Sequence, residues 1–192
     1  MARAQGAEVI DFEEEHPVET MKRLTNGIGV DRAIDAVGLD AVRAHHGPAS
    51  KLDAQTKKLL DDEAKATAPK QNPDGDNWHP GDGPSQALIW AVEGLAKAGT
   101  LSIIGVYGDS SNVFPIGQAM NKNLTLKMGN CNHRRYVPRL VDMVRSGLVD
   151  PATILTQREP MMSAIDAYKA FDQRQPGWIK VMLEPERISQ AA

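Results

Sequence analysis

The apolar positions of this chain fall into short compact runs and helical stripes, and the two kinds alternate. "MARAQ" with Gly6 reads as the last turn of a helix and its glycine stop, and "AEVIDF" (7–12) then reads as a strand. In "EEEHPVETMKRLTNG" the residues Val18, Met21 and Leu24 share one helical face, and Asn26-Gly27 ends the helix. "VDRAIDAVG" (30–38) predicts a second strand closing on a glycine. "SQALIWAVEGLAKAGT" sets Leu88, Ala91, Val92 and Leu95 at helical spacing, with Ser85 as N-cap and Gly99 at the stop. "LSIIGVYG" (101–108) is a third strand, apolar almost throughout, as expected where both faces of a sheet are covered.

A fourth strand, "NLTLKMGN" (123–130), precedes a helix carrying Val137, Leu140, Val141 and Val144 on one face and ending at Ser146-Gly147. The tail reads as a short extended piece ("ATILTQ", 152–157), a helix with Ala164, Ile165, Tyr168 and Phe171, and a last strand, "WIKVMLEP" (178–185). Strand alternating with helix predicts an α/β fold with a doubly wound parallel sheet. Residues 39–84 break the rhythm. There a polar, helix-prone run (50–66) leads into "PKQNPDGDNWHPGDGP" (69–84), which is nearly all turn formers. An insert of this size inside a compact domain is either functional or mobile.

Composition narrows the class. The 192 residues are 41% apolar, enough for a globular core, and no apolar run approaches the roughly 18 residues of a membrane span. Nothing resembles a secretory leader, so the expectation is a cytoplasmic protein that does not engage a membrane. Net charge is −3 with both signs mixed along the chain, which argues against nucleic acid as a partner. The one basic cluster, "HRRYVPR" (133–139), reads either as a solvated helix start or as a small anion site. Cys131 is the sole cysteine, which excludes an internal disulfide and a cysteine-based zinc knuckle.

In a doubly wound sheet, ligands lie beyond the carboxyl ends of the strands. Those ends here read Asp11-Phe12, Ala36-Val37-Gly38, Gly105-Val106-Tyr107 and Gly129-Asn130. Glycine at three of the four points to a nucleotide site, against the alternative that glycines merely end strands. The usual Gly-x-Gly-x-x-Gly turn between a first strand and its helix is absent, and "GIG" (27–29) precedes a strand instead. His45, His46 and His79 lie in the insert without regular ligand spacing and read as surface histidines. No Ser-His-Asp or Cys-His arrangement is legible, and Cys131 reads as a packing residue.

"GAEVIDF", "VDRAIDAVG" and "GLAKAGTLSIIGVYG", in residues 6–38 and 94–108, resemble the cofactor domain of the medium-chain, zinc-dependent alcohol dehydrogenases. "NLTLKMGNCNHRRYVPRLVDMVRSGLVDP" and "AIDAYKAFDQRQPGWIKVMLEP" resemble that family's carboxyl-terminal stretch. The extension after "DAVG" points to the branch of glutathione-independent formaldehyde dehydrogenase and its threonine-dehydrogenase-like relatives. The resemblance implies NAD or NADP, hydride transfer from an alcohol or aldehyde substrate, and a zinc Lewis acid in the complete enzyme. By the same resemblance Val37 and Gly38 flank the cofactor, and Arg43 and His45 match an Arg-x-His pair that helps hold it. Gly105, Val106 and Tyr107 border the nicotinamide, backbone groups of Gly129, Asn130 and Cys131 meet its carboxamide, and Lys180 approaches the pyrophosphate.

The resemblance also implies what this stretch lacks. The family's zinc ligands, its glycine-rich turn and the acidic residue for the ribose all match positions before residue 1. Residues 1–145 would be an incomplete dinucleotide-binding domain with its insert at 39–84, and 146–192 a segment packing on a catalytic domain. With the first two strands of a 3-2-1-4-5-6 sheet missing, "AEVIDF" should be an orphan strand and "VDRAIDAV" should present an uncovered edge. The chain is then expected to be truncated and inactive alone. Alternatives are a non-catalytic assembly module, associating as a homo-oligomer through strand 123–130, and an unrelated nucleotide-binding α/β protein such as a methyltransferase.

Overall fold

The computed structural model describes residues 2–67 and 80–185. These divide into two compact units, residues 2–67 with 80–130, and residues 131–185. The division falls after Asn130, before the expected boundary at 145/146.

The first unit is built on a three-stranded parallel sheet. Its strands are β1 (Val30–Asp35), β2 (Leu95–Ile103) and β3 (Thr125–Lys127), in the order β1-β2-β3. The parallel order needs a crossover between neighbours, which α3 (Gln86–Gly94) and α4 (Ile116–Asn121) provide, while α1 (Pro17–Leu24) packs on α3. The period-2 pattern sends Ala33, Leu101, Ile103 and Leu126 to one face, where they meet Leu88 and Val92 of α3 and Ala119 of α4. Each fully buried aliphatic side chain there contributes about 1.5–3 kcal/mol. On the other face Ile34 and Lys127 stay exposed.

Several expected boundaries move, each for a physical reason. Residues 7–11 are not a strand: they lie outside both sheets, because an extended segment needs a neighbouring ladder and none adjoins it. The expected orphan strand is therefore not formed, whereas β1 pairs only with β2 and its other edge is uncovered among the described residues. Helix α3 stops at Gly94 instead of Gly99, because the chain passes straight into β2. The residues between Leu95 and Thr100 bulge out, with Ala98 at φ 60°. Lys122 closes that helix end: its Nζ donates to the carbonyls of Val92, Glu93 and Leu95 at 2.8, 2.9 and 2.8 Å. Three acceptors match the three protons of an ammonium. Ser85 does not cap α3; its hydroxyl donates to Glu63 Oε1 of α2 (Ala54–Thr67) at 2.7 Å. At the amino terminus the expected last helical turn is a 3-10 turn, Ala2–Gln5, followed by Gly6 at φ 79°.

In the second unit β4 (Gln157–Pro160) pairs in parallel with β5 (Val181–Glu184), and α6 (Ala164–Asp172) connects them. The extended piece expected at 152–157 begins instead as a 3-10 turn, Pro151–Ile154. Pro151 suits its first position, and the Asp150 side chain accepts from Ala152 N. Helix α5 (His133–Arg145) opens on Asn132, whose Oδ1 accepts from Arg135 N at 3.2 Å, and it buries no residue. No helix among the described residues is long and apolar enough to cross a membrane.

Candidate functional site

The carboxyl ends of β1 and β2 are locked together by one buried side chain. Asp35, the last residue of β1, is 4% exposed. Its Oδ1 accepts from Val37 N at 3.0 Å and Gly38 N at 3.3 Å, and its Oδ2 accepts from the Tyr107 hydroxyl at 2.7 Å. Its backbone carbonyl accepts from Ile104 N and Gly105 N at 2.9 and 3.0 Å, and Leu39 N donates to Val106 O at 3.0 Å. These bonds explain why β2 ends at Ile103 rather than running to Gly108: from Ile104 the chain turns across the end of β1. Burial, and then the Asp35 carboxylate, hold the Tyr107 phenol above its ordinary pKa, so it stays a neutral donor.

The glycines are required by this lock. Gly38 has φ 66°, and a Cβ there would run into Val106 N, while a Cβ on Gly105 would strike Gly38 N. The two loops therefore touch backbone to backbone and push their apolar side chains outward, Val37 at 48% and Val106 at 77% exposed. Five of the expected residues, Val37, Gly38, Gly105, Val106 and Tyr107, are thus brought together at one sheet edge. An acidic residue ending an apolar strand just before "AVG" was the signal for Asp35, which sequence reasoning passed over.

Arg43 and His45 are also brought together, by Asp82. Arg43 N donates to Asp82 Oδ1 at 2.9 Å, its Nε meets Asp82 Oδ2 at 3.4 Å, and its Nη1 pairs with Asp61 Oδ1 at 2.7 Å. His45 Nε2 lies 3.7 Å from Asp82 Oδ2. Both carboxylates come from the insert, and Glu13 anchors the same loop by accepting from His45 N and His46 N. Those amides hold the Glu13 carboxyl below its ordinary pKa. Arg43 is thereby a half-buried, neutralised crosslink.

The remaining expected residues lie at the end of the first unit and in the second. Gly129 (φ 124°) and Asn130 are exposed beyond β3. Cys131 is an exposed free thiol at the start of the second unit, not the packed residue expected. Lys180 precedes β5 and lines a small cavity with Tyr168 and Phe171. His79 lies outside the described residues. Among the described residues no three His, Cys, Asp or Glu side chains are grouped to hold a metal ion.

A parallel half-sheet whose glycine loops meet at the carboxyl ends of adjacent strands defines the class, the doubly wound nucleotide-binding fold. Comparison with known proteins shows that the chain is similar in sequence and fold to the carboxyl-terminal part of zinc-type, medium-chain alcohol dehydrogenases. It is 30% identical over 184 residues, 95% of its length, to an uncharacterized zinc-type alcohol dehydrogenase-like protein, AdhB, of Bacillus subtilis, and covers 42% of that protein. A zinc-type alcohol dehydrogenase-like protein of Schizosaccharomyces pombe is 34% identical over 90 residues, 47% of this chain and 21% of that protein. Among solved structures, the alcohol dehydrogenase TADH from Thermus sp. ATN1 superposes with a TM-score of 0.62 at 24% identity, over 96% of this chain and 41% of the other. The 2R,3R-butanediol dehydrogenase of Bacillus subtilis does so with a TM-score of 0.60 at 15% identity, over 96% and 40%. The chain spans about two fifths of the length of AdhB. No protein-family model matches it.

Proposed function

We propose that this chain supplies the nicotinamide-binding half of a zinc-dependent alcohol or aldehyde dehydrogenase. The observation that carries the reading is the pair of interlocked glycine loops at the carboxyl ends of β1 and β2, with Val37 and Val106 turned outward. Backbone and small apolar side chains there suit a flat ring approaching closely. In this reading Val37, Gly38, Gly105, Val106 and Tyr107 form the ring-facing ledge, and Asp35 holds its two halves at fixed spacing. Gly129 and Asn130 offer backbone groups to the carboxamide, and Arg43 and His45 form a wall fixed by Asp82. The bound nicotinamide, as NAD or NADP, supplies the hydride acceptor, and the substrate is a small alcohol or aldehyde.

Zinc does not fit the described residues, which group no set of ligands. In this reading the zinc ligands come from a part of the complete enzyme outside these residues. The same reading makes these residues inactive alone, assigns the open β3 edge to association between copies, and places the protein in the cytoplasm. The test is a chimera in which residues 7–192 replace the corresponding carboxyl-terminal part of the Bacillus AdhB protein. Zinc-dependent alcohol oxidation coupled to nicotinamide reduction is expected of the chimera and not of the 192 residues. Turnover by the 192 residues with stoichiometric zinc, or a folded, zinc-loaded chimera without turnover, refutes it.

A further inference from the structure

We propose that a cleft on the outer side of α3 binds a small, flat aromatic cation that carries N–H donors. The cleft holds about 480 Å³, within the size range of small-molecule sites, and lies wholly inside the first unit. Helix α3 explains its position. Leu88 and Val92 face the sheet, whereas Gln86, Ile89, Trp90 and Glu93, spaced i, i+3, i+4 and i+7, line the cleft from the opposite stripe. The insert supplies the facing wall through Leu52 and Leu59, and Phe114 closes one side. None of the lining residues belongs to the ledge of Val37–Gly38 and Gly105–Tyr107, so this inference stands apart from the proposed dehydrogenase role.

Three observations set the ligand class. Apolar and aromatic surface comes first: Trp90, Ile89, Phe114, Leu52 and Leu59 suit a planar apolar body. The Trp90 indole is held by Phe12, at 5.6 Å between ring centroids and tilted by 45°. Unmet acceptors come second. Gln86 is 1% exposed and its Oε1 has no hydrogen-bond partner, and the buried Nδ1 of His16, which also lines the cleft, has none either. Buried acceptors without donors are costly and are met by a ligand's N–H groups. Charge comes third. Glu93 and Asp53 set two carboxylates on the lining against the single ammonium of Lys51, and the Glu93 carboxylate makes no ion pair among the described residues. Asp53 is occupied in capping α2, accepting from Gln55 N and Thr56 N. Lys122, whose ammonium is committed to three backbone carbonyls, acts on Glu93 only through space, which leaves the Glu93 oxygens to meet the ligand's charge.

The test uses the full 192-residue chain, labelled with nitrogen-15, and follows the Trp90 indole signal, assigned with Trp90→Phe. Benzamidine, neutral benzamide and anionic benzoate serve as probes of one shape and three charges. Benzamidine is expected to shift that signal saturably, with a Kd on the order of 1 mM for so small a ligand. Benzamide should bind more weakly and benzoate least. Glu93→Gln, at a half-exposed position that leaves the core intact, should weaken benzamidine about fivefold while leaving benzamide unchanged. Gln86→Leu should weaken both amidine and amide, and Glu93→Gln decides the matter if that variant does not fold. No saturable shift up to about 50 mM benzamidine, well above the expected Kd, overturns the proposal. So does benzoate binding as tightly as benzamidine, or Glu93→Gln leaving benzamidine binding unchanged.

Discussion

Helices α3 and α5 carry similar apolar stripes in the sequence and meet opposite fates in the structure. Leu88 and Val92 of α3 are buried against the sheet, whereas Tyr136, Val137, Leu140, Val141 and Val144 of α5 are all exposed, Leu140 at 52%. A hydrophobic stripe specifies which face of a helix must be covered, and says nothing about which surface covers it. For α3 the partner is the strand that follows it in sequence. For α5 none lies among the described residues, and an exposed stripe of this kind is an interaction surface or an aggregation hazard. The same contrast divides the sheet, whose inner face is packed while Ile34 on its outer face stays exposed.

Core truncation separates the two regions most sharply. Leu101→Ala, at a fully buried position, is expected to cost about 2–5 kcal/mol in denaturant unfolding, whereas Leu140→Ala on α5 should stay within about 0.5 kcal/mol. Equal costs would erase the contrast. Next in size is Asp35→Ala, which leaves the Val37 and Gly38 amides and the Tyr107 hydroxyl without their acceptor. It should cost about 2–4 kcal/mol and speed amide exchange at residues 37–39 and 104–107, with β3 unaffected. Lys122→Met removes three hydrogen bonds from the end of α3 and should cost about 1–3 kcal/mol. Burial, and then Lys22, pull the Lys122 pKa down, and the Glu93 carboxylate opposes that pull. Tyr107→Phe, which keeps the ring and removes one bond to Asp35, should cost about 1 kcal/mol.

The smallest effect is a pH dependence at Glu13. Its carboxyl titrates below the ordinary value of 4.5 because His45 N and His46 N bind the ionised form. The unfolded chain therefore binds the proton first. The stabilisation is fully present above about pH 4.5, the unfolded value, and is lost as pH falls through the lower folded one. Loss of protection of the His45 and His46 amides on acidification, measured against the intrinsic exchange rate at each pH and absent in Glu13→Gln, checks it.

The elements marked by a helical stripe or a compact apolar run were the legible ones, whether or not a partner covers them. The helices α1, α3, α5 and α6 follow from their apolar stripes and the strands β1 and β3 from their compact apolar runs, while β2 was legible only over residues 101–103. Ends were less legible where a tertiary bond decides them. Asp35 stops β2 by binding Ile104 and Gly105, and Lys122 stops α3 from thirty positions away, neither of which a local pattern contains. Residues 7–11 have a strand's composition but no neighbouring strand, so composition alone misassigned them. At the candidate site the glycines were legible as punctuation, and their mutual contact was not. The carboxylates that neutralise Arg43 lie 18 and 39 residues away, in an insert with no period to read.

The most direct test of the dehydrogenase reading is NADH fluorescence titrated against the chimera with the Bacillus AdhB amino-terminal part, beside the 192-residue chain alone. A saturable enhancement is expected for the chimera. It should be lost on Val106→Asp, which sets a charge on the ledge, and be absent from the isolated chain at the same concentrations. A folded, zinc-loaded chimera that does not bind NADH, or one in which Val106→Asp binds as tightly as the parent, would contradict it.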